Sequence, residues 1–286
     1  MSFPDLRPQP PLYPQVAEDY ARRALELSAA AVRQTERIAD VPYGALAEQR
    51  LDVYPARAPQ PGGSAVLVFF HGGAWTNGYK EWVALLAPPL NAAGITLVAP
   101  SYRLAPASKW RDMLDDCSAA IAWVHANIHR HGGDPRRMAV GGHSAGGHLT
   151  SLAVLQGEGL RARGMPPAAI VACLPLCAPL DIRYPDAQPG SGEERTHQMI
   201  LGDRAEAASA SPICHVHDAM PFMLLAHARD DLPRIVAGNE SMAQALRQRR
   251  CAHATLLLDG DHFAPAIAAG DAQSPWTARV IQLLRT

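Results

Sequence analysis

The sequence predicts an α/β fold built on a mostly parallel β-sheet with helices on both faces. Short apolar segments alternate with segments of helical periodicity along most of the 286 residues. The apolar segments lack the polar alternation of strands that face water on one side, which indicates strands covered on both faces. Because neither an internal repeat nor a low-complexity linker interrupts the pattern, we predict a single domain over residues 1–286.

The N-terminal part predicts a cap helix. Between residues 16 and 38, apolar residues recur at helical spacing with charged residues between them, as in an amphipathic helix packed on the rest of the protein. Residues 1–45 are assigned to this cap. The segment LDVY at 51–54 then alternates in polarity like a half-buried strand, and the Pro/Gly-rich stretch after it indicates a turn.

The following elements alternate regularly, with one exception. Ala178 to Met220 is rich in Pro, Gly, Ser and charge, and it is long for a loop. We interpret residues 178–220 as a pocket-wall insertion or lid; a purely structural insertion is the alternative. The predicted strands begin at Ser64, Ile95, Met138, Ala169, Pro221 and Ala254, and the predicted helices lie near 81–92, 112–130, 145–156, 237–249 and 276–285.

Composition narrows the classes of partner and compartment. Hydrophobic residues make up 48% and charged residues 19%, and the net charge is −1 without a Lys/Arg block, so neither a nucleic acid nor an anionic membrane has electrostatic support. The five cysteines are scattered without C-x-x-C spacing, as expected for reduced thiols. The N-terminus lacks the apolar core of a signal peptide, and no window is long enough to span a membrane. We expect a cytoplasmic protein; the sequence leaves open whether it forms a homodimer.

A candidate nucleophile stands in the segment from Gly142 to Gly146. It reads G-x-S-x-G, follows an apolar strand and opens a helix, which is the context typical of the nucleophile elbow of α/β-hydrolases. The glycines allow a turn sharp enough to expose the side chain of Ser144 above the sheet. The alternative is a Gly-rich helix start with Ser144 as its N-cap.

A serine hydroxyl needs a base and a carboxylate, and both occur after later strands. In this fold the chain order is Ser, then Asp or Glu, then His. His262 follows the last apolar strand, and Asp230 and Asp231 follow the preceding one, so both groups lie where open sheets place their sites. We favour Asp231 as the acid, with Asp230 as the alternative.

Other histidines and carboxylates lie near these motifs. Asp259 and Asp261 are close to His262 in sequence, but a residue on the same tight loop seldom points at the same ring. His71, His143 and His148 are expected to brace loops, with His143 also a candidate substrate-binding residue. The segment HVHD at 215–218 lacks further ligands for a metal, so neither metal nor organic cofactor is predicted.

The segment VFFHGGAWTNG at 68–78 is a candidate oxyanion site. In this fold one amide donor follows the nucleophile, here Ala145, and another comes from a Gly-rich loop after an early strand, here Gly72 and Gly73. Bare backbone at these glycines would permit close approach to a carbonyl oxygen. Trp75 is a candidate substrate-binding residue, either an aromatic platform in the pocket or an anchor of the loop in the core.

Together these motifs resemble a known superfamily. HGGAW, SYRLAP, GGDPRRMAVGGHSAGGHL, the Asp231 loop and DHF are similar to the α/β-hydrolase branch that contains hormone-sensitive-lipase-like esterases and bacterial kynurenine formamidase-like (arylformamidase-like) hydrolases. The resemblance runs from about Val41 to the C-terminus. It implies an α/β-hydrolase fold, a triad of Ser144, Asp231 and His262, and the oxyanion donors given above.

The finer assignment depends on the oxyanion loop. The esterase branch resembles H-G-G-G, whereas Ala74 and Trp75 give the H-G-G-x-W form of the formamidase group. The resemblance therefore implies a serine hydrolase that cleaves a small carboxylic ester or an aryl formamide through an acyl-enzyme, kynurenine formamidase-like in its main interpretation. A short-chain carboxylesterase is the alternative, and a non-catalytic ligand-binding α/β-hydrolase ranks below both.

Overall fold

A single mixed sheet of eight strands forms the centre of the computed structural model, which describes residue 3 and residues 6–12, 14–58 and 62–285. The strands lie in the order β1-β2-β4-β3-β5-β6-β7-β8. The pairs β1–β2 and β2–β4 are antiparallel, and all pairs from β4–β3 to β7–β8 are parallel. The strands are β1 Ile38–Pro42, β2 Arg50–Tyr54, β3 Ser64–Phe70, β4 Ile95–Pro100, β5 Gly133–His143, β6 Ile170–Leu176, β7 Phe222–Asp230 and β8 His253–Asp261.

Helices cover both faces of this sheet. Successive side chains of β3 enter two different hydrophobic clusters: Val66, Val68 and Phe70 enter one, and Ala65, Leu67 and Phe69 the other. The predicted α/β class with a mostly parallel, doubly covered sheet is confirmed. The α-helices are α1 Gln15–Val32, α2 Ala87–Ala92, α3 Trp110–Asn127, α4 Ala145–Gln156, α5 Glu158–Arg161, α6 Gly192–Ile200, α7 Pro233–Gln248, α8 Ala264–Ala268 and α9 Pro275–Arg285, and 3-10 helices span Lys80–Leu86, Ile128–His131, Pro167–Ala169, Arg204–Ala207 and Pro212–His215. None of the described helices is both long and apolar enough to cross a membrane.

The prediction of a half-buried strand at 51–54 is wrong, because β2 is buried on both faces. The side chain of Asp52 is fully buried and lies 2.7 Å from Arg37 and 2.9 Å from Lys80. Lys80 in turn contacts Glu81 at 2.6 Å. A buried charge is tolerated when it is paired in this way, and the alternating pattern therefore did not mark a solvent-facing side.

The cap helix is shorter than predicted. It ends at Val32, and Ile38 belongs to β1, a strand that the sequence did not predict. Its buried face is made of small residues and Tyr20, whereas Val16 is 43% exposed. Ser28 on that face accepts a hydrogen bond from the amide of Leu85 at 3.0 Å, which fixes α1 on the 3-10 helix Lys80–Leu86.

An N-terminal strap, residues 6–12, precedes α1 and lies on the loop after β3. The side-chain amide of Gln9 donates to the carbonyl of Gly78 at 2.9 Å and accepts from its amide at 2.7 Å. Asn77 donates to the carbonyl of Pro10 at 2.7 Å. Residues 1, 2, 4, 5 and 13 of the predicted cap lie outside the described residues.

Candidate active site

Ser144 occupies a sharp turn between β5 and α4. Its φ of 51° and ψ of −117° lie outside the ordinary regions for a side-chain-bearing residue. A Cβ at Gly142 would collide with Gly146, and one at Gly146 would collide with the carbonyls of Phe70 and His71. These glycines are therefore required for the chain to pass so close to itself and to raise Ser144 above the sheet edge.

The structure brings Ser144, His262 and Asp231 together from three separate loops. The Oγ of Ser144 lies 2.9 Å from Nε2 of His262, and Nδ1 of His262 lies 2.6 Å from Oδ1 of Asp231. An ionised Asp231 requires the proton of the neutral ring on Nδ1, which leaves Nε2 free to accept the serine proton. Both side chains behind the serine are nearly inaccessible, at 11% exposed for His262 and 0% for Asp231.

The carboxyl of Asp231 is held in its charged form. Burial alone would raise its pKa, but the hydrogen bond from His262 and the attraction between the two groups outweigh burial and lower the pKa. The amide of Leu232 also donates to Oδ1 at 2.8 Å. Asp230, the alternative acid, is exposed at the cavity rim and makes no contact with the ring among the described residues.

Two buried groups lie behind the triad. His143 bonds through Nε2 to the carbonyl of His262 at 3.0 Å, and burial followed by the nearby His262 lowers its pKa to about 3, so it is a neutral donor. His143 thus braces the His262 loop. It also lines the cavity, where it was predicted to bind substrate. The thiol of Cys177 lies beside Asp231; burial, and then that negative charge, raises its pKa well above the usual range. No sequence motif pointed to Cys177.

The predicted oxyanion loop has a left-handed backbone at three consecutive residues. The φ values are 118° at Gly73, 51° at Ala74 and 61° at Trp75. Gly73 and Ala74 line the cavity beside Ser144, and within the described chain the amides of Gly73, Ala74 and Ala145 donate no hydrogen bond. Gly72 lies closer to the nucleophile, since a Cβ there would be 3.2 Å from Cβ of Ser144. Ala74 is a further amide that the sequence did not single out.

Trp75 is held in the core by a second histidine. It is 5% exposed, and its Nε1 donates to Nδ1 of His148 at 3.2 Å with the rings edge to face. Nε2 of His148 donates to the carbonyl of Ala210 at 2.7 Å. His148 therefore joins the oxyanion loop, helix α4 and the 178–220 insertion, and the geometry favours the anchor interpretation of Trp75 over the platform.

A cavity of about 530 Å³ opens over Ser144 and His262. The N-terminal strap, α1 and the 178–220 insertion form its outer walls. Tyr20 stacks on Phe263 at 5.0 Å between ring centroids, giving the floor an aromatic surface next to the triad. The apolar lining includes Pro11, Leu12, Val16, Ala17, Tyr20, Trp75, Trp82, Tyr184, Met199, Leu232, Ile235 and Phe263.

One group of potential metal ligands coincides with this site. Ligand atoms of His143, Cys177 and His262 lie within 4.8 Å of one another. His262 uses both ring nitrogens within the triad, and His143 uses Nε2 on the main chain. Nδ1 of His143 has no hydrogen-bond partner in the described residues. His215, from the HVHD segment, contacts Gln156 and the carbonyl of Ser209 instead.

Comparisons with solved structures and with protein families define the fold and the family of this protein. The thermostable carboxylesterase EstE1, cloned from a metagenomic library, superposes with a TM-score of 0.73 over 95% of this chain and 97% of its own, at 20% identity. With the strand order and the elbow, this establishes the α/β-hydrolase fold. The BD-FAE family model matches residues 51–246, more than half of the chain, and the protein belongs to this family.

Two named relatives are longer than this chain. LipM of Mycobacterium tuberculosis, a probable carboxylic ester hydrolase, is 35% identical over 73% of this chain and 51% of its own. A probable isoprenylcysteine alpha-carbonyl methylesterase, ICME of Oryza sativa subsp. japonica, is 38% identical over 43% of this chain and 29% of its own. The chain thus spans about half or less of these relatives. The resemblance to the α/β-hydrolase superfamily is confirmed, and the relatives favour the esterase alternative over the kynurenine formamidase-like interpretation.

Proposed function

We propose that this protein is a serine carboxylesterase that hydrolyses a small carboxylic ester through an acyl-enzyme. The observation that carries the proposal is the continuous hydrogen-bonded path from Asp231 through His262 to Ser144 at the base of an open cavity. A serine hydroxyl becomes nucleophilic when a positioned base removes its proton during attack. The longer relatives LipM and ICME are named as an ester hydrolase and a methylesterase, which supports the same chemistry.

The mechanism follows from the proton positions. Nε2 of His262 accepts the proton as Oγ of Ser144 attacks the ester carbonyl, and Asp231 stabilises the resulting imidazolium. The proton passes to the leaving alcohol as the tetrahedral intermediate collapses to the acyl-enzyme. Water, deprotonated by His262, then attacks the acyl carbon and frees Ser144, so the cycle consumes one water and restores every group.

Charge on the carbonyl oxygen needs donors placed in advance. The proposed donors are the unused amides of Gly73 and Ala74, which line the cavity, and that of Ala145, which follows the nucleophile; Gly72 lies next to the nucleophile. Removing one such donor in a serine hydrolase costs about 3 kcal/mol of transition-state stabilisation. The left-handed backbone at 73–75 and the His148 anchor hold these amides in place.

An aryl formamide is the second candidate substrate. The stacked Tyr20 and Phe263 beside the triad suit a flat aromatic leaving group, and the H-G-G-x-W loop resembles that of formamidases. Hydrolysis of 4-nitroformanilide, compared with p-nitrophenyl acetate and p-nitrophenyl butyrate, separates the two. Turnover of the esters without turnover of the formamide removes the formamidase interpretation.

The esterase proposal is tested at Ser144. The purified protein should hydrolyse p-nitrophenyl butyrate, and Ser144→Ala should lower kcat by roughly 10⁵-fold or more, since the nucleophile and its base act as a unit. A fluorophosphonate probe should add once to the wild type and not to the variant, as read by intact mass. Ser209→Ala, on the exposed insertion surface, is the matched control and should keep activity. Folded protein that neither turns over esters nor reacts with the probe would refute the proposal and favour a ligand-binding role.

A further inference from the structure

The insertion wall of the cavity carries a positive charge that ester hydrolysis itself does not use. Arg195, on α6, lines the cavity wall. Arg195 is exposed to solvent, and within the residues that the structure describes its guanidinium makes neither a hydrogen bond nor an ion pair. The cavity-lining Arg234, by contrast, pairs with Glu193. A guanidinium in contact with water needs no protein partner. If a bound substrate covers it, however, it loses its hydrogen bonds to water, and this costs free energy unless the substrate supplies an acceptor.

A second arginine and a phenol extend this positive wall. Arg234, in the first turn of α7, lines the same cavity and lies 3.6 Å from Glu193, with its side chain 28% exposed. The hydroxyl of Tyr184 is buried and has no hydrogen-bond partner among the described residues. Burial raises the pKa of this hydroxyl and the nearby Arg234 opposes the rise, so a neutral O–H donor stands beside a guanidinium.

Two carboxylates that line the cavity are sequence neighbours of the triad residues Asp231 and His262. Asp230 and Asp261 lie at the ends of β7 and β8, on the same wall as His262. Oδ1 of Asp261 accepts from the amides of Phe263 and Ala264 at 3.0 Å, and Asp230 is exposed without an ion pair in the described chain. An anionic substrate group is therefore disfavoured beside Asp230 and Asp261 and favoured beside the guanidinium of Arg195.

We propose that the ester substrate carries a carboxylate remote from its scissile bond, and that Arg195, assisted by Arg234 and Tyr184, binds that carboxylate at the insertion wall. This inference rests on the proposed esterase function and names its substrate class. A guanidinium and a carboxylate form two parallel charge-assisted hydrogen bonds, which a neutral chain of the same length cannot replace.

Two matched substrate pairs test the proposal. In the first pair, p-nitrophenyl hemisuccinate carries a carboxylate at the end of its four-carbon acyl group where p-nitrophenyl butyrate has a methyl group. In the second pair, 4-carboxyphenyl butyrate carries a carboxylate on the leaving group, which phenyl butyrate lacks. We expect a higher kcat/KM for the anionic member of one pair. Arg195→Gln should lower that value about 10-fold through KM and leave the neutral ester within about twofold, because the contact is the same in the ground and transition states. Arg234→Gln should act in the same direction more weakly, since Glu193 already shares its charge.

Controls separate this site from surface charge and from loss of the esterase. Arg183→Gln removes an insertion arginine that pairs with Asp181 and does not line the cavity, so it should leave both pairs unchanged. The proposal would be overturned if the enzyme preferred the neutral ester in both substrate pairs, or preferred a choline ester to the anionic esters. It would also be overturned if Arg195→Gln lowered kcat/KM equally for the anionic and the neutral ester of a pair. Binding gives a readout without turnover: monoethyl succinate should bind Ser144→Ala about 10-fold more tightly than Ser144→Ala/Arg195→Gln by calorimetry. If the wild type hydrolyses no ester but the two variants still differ in their affinity for monoethyl succinate, only the esterase function is rejected.

Discussion

Two neighbouring carboxylates show how a one-residue difference decides which side chain reaches His262. Asp230 ends β7 and points to solvent at the cavity rim, whereas Asp231 turns inward and bonds to Nδ1 of His262 at 2.6 Å. The pKa of Asp231 is lowered despite burial, because His262 stabilises its charged form. The proposed role of Asp231 as the acid depends on this bond, which also sets the tautomer of His262.

Asparagine at each of these positions provides a matched pair. Asp231→Asn keeps the shape but removes the charge that holds the proton on Nδ1, so we expect kcat to fall by roughly 10³- to 10⁴-fold. Asp230→Asn should change kcat less than about threefold. Steady-state hydrolysis of p-nitrophenyl butyrate measures both. A larger loss in Asp230→Asn than in Asp231→Asn would assign the acid to Asp230.

The sequence motifs of the site could be predicted from sequence, whereas the buried side chains that surround them could not. Ser144 and His262 stand in turns whose residue types are dictated by chemistry, and their chain order is diagnostic. Cys177 and Tyr184 reach the site only through packing between elements that are distant in sequence. Their environments, a thiol beside Asp231 and a buried hydroxyl beside Arg234, depend on the tertiary fold and leave no periodic or spacing signal.

At the scale of elements, the N-terminal strap closes the cavity over the oxyanion loop. Gln9 forms two hydrogen bonds with the backbone of Gly78, and Asn77 holds the carbonyl of Pro10. Pro11 and Leu12, which follow these bonds, line the cavity. The strap thereby ties one part of the cavity wall to the loop that carries the proposed oxyanion amides.

Loss of the Gln9 bonds should relax selectivity for substrate length. Each hydrogen bond contributes about 1 kcal/mol net, so Gln9→Ala should let the strap open more often. We expect the kcat/KM ratio of p-nitrophenyl octanoate to p-nitrophenyl butyrate to rise roughly three- to tenfold. Gln15→Ala, which removes an exposed glutamine on α1, is the control and should leave this ratio unchanged. An unchanged ratio in Gln9→Ala would show that the strap does not limit the cavity.

Elements with strong periodicity were predicted well, and the irregular ones were not. The parallel strands β3 to β7 read as apolar segments because their central residues are buried on both faces. The edge strand β8 has the same apolar pattern although one of its faces is exposed, with Leu257 50% exposed. β1 was missed because it is a short edge strand whose residues are exposed or half-buried. β2 was misread because Asp52, buried against Arg37 and Lys80, places a polar residue inside a buried strand. A paired buried charge has the same letter in the sequence as a solvated one, so only the fold distinguishes them.

At the scale of the whole molecule, three buried histidines link stability to pH. Burial lowers the pKa of His71 and His148 to about 4, and burial with the nearby His262 lowers that of His143 to about 3. All three brace the loops of the site in their neutral forms. In the unfolded chain they regain the ordinary pKa of 6.5, so below that pH the unfolded state binds more protons than the folded state.

The free energy of unfolding should therefore decrease as the pH falls from 6.5 towards 4. Each histidine contributes a slope of about 1.4 kcal/mol per pH unit once its unfolded form is protonated, so the three together approach about 4 kcal/mol per unit. Carboxyls with a lowered pKa, such as Asp231, add their own loss only as the pH approaches the unfolded carboxyl pKa of about 3.9. Measurements between pH 6.5 and 5 thus report the histidines.

Urea unfolding at several pH values in this window measures the slope. His148→Gln removes one buried titrating ring while an amide can still donate and accept, so the slope should decrease by about a third even if the variant is less stable at every pH. His129→Gln, at an exposed position, should leave the slope unchanged. A stability that stays constant or rises from pH 6.5 to 5 would mean that these rings are already protonated in the folded protein, and Nδ1 of His148 could then no longer accept the Trp75 hydrogen bond that anchors the oxyanion loop.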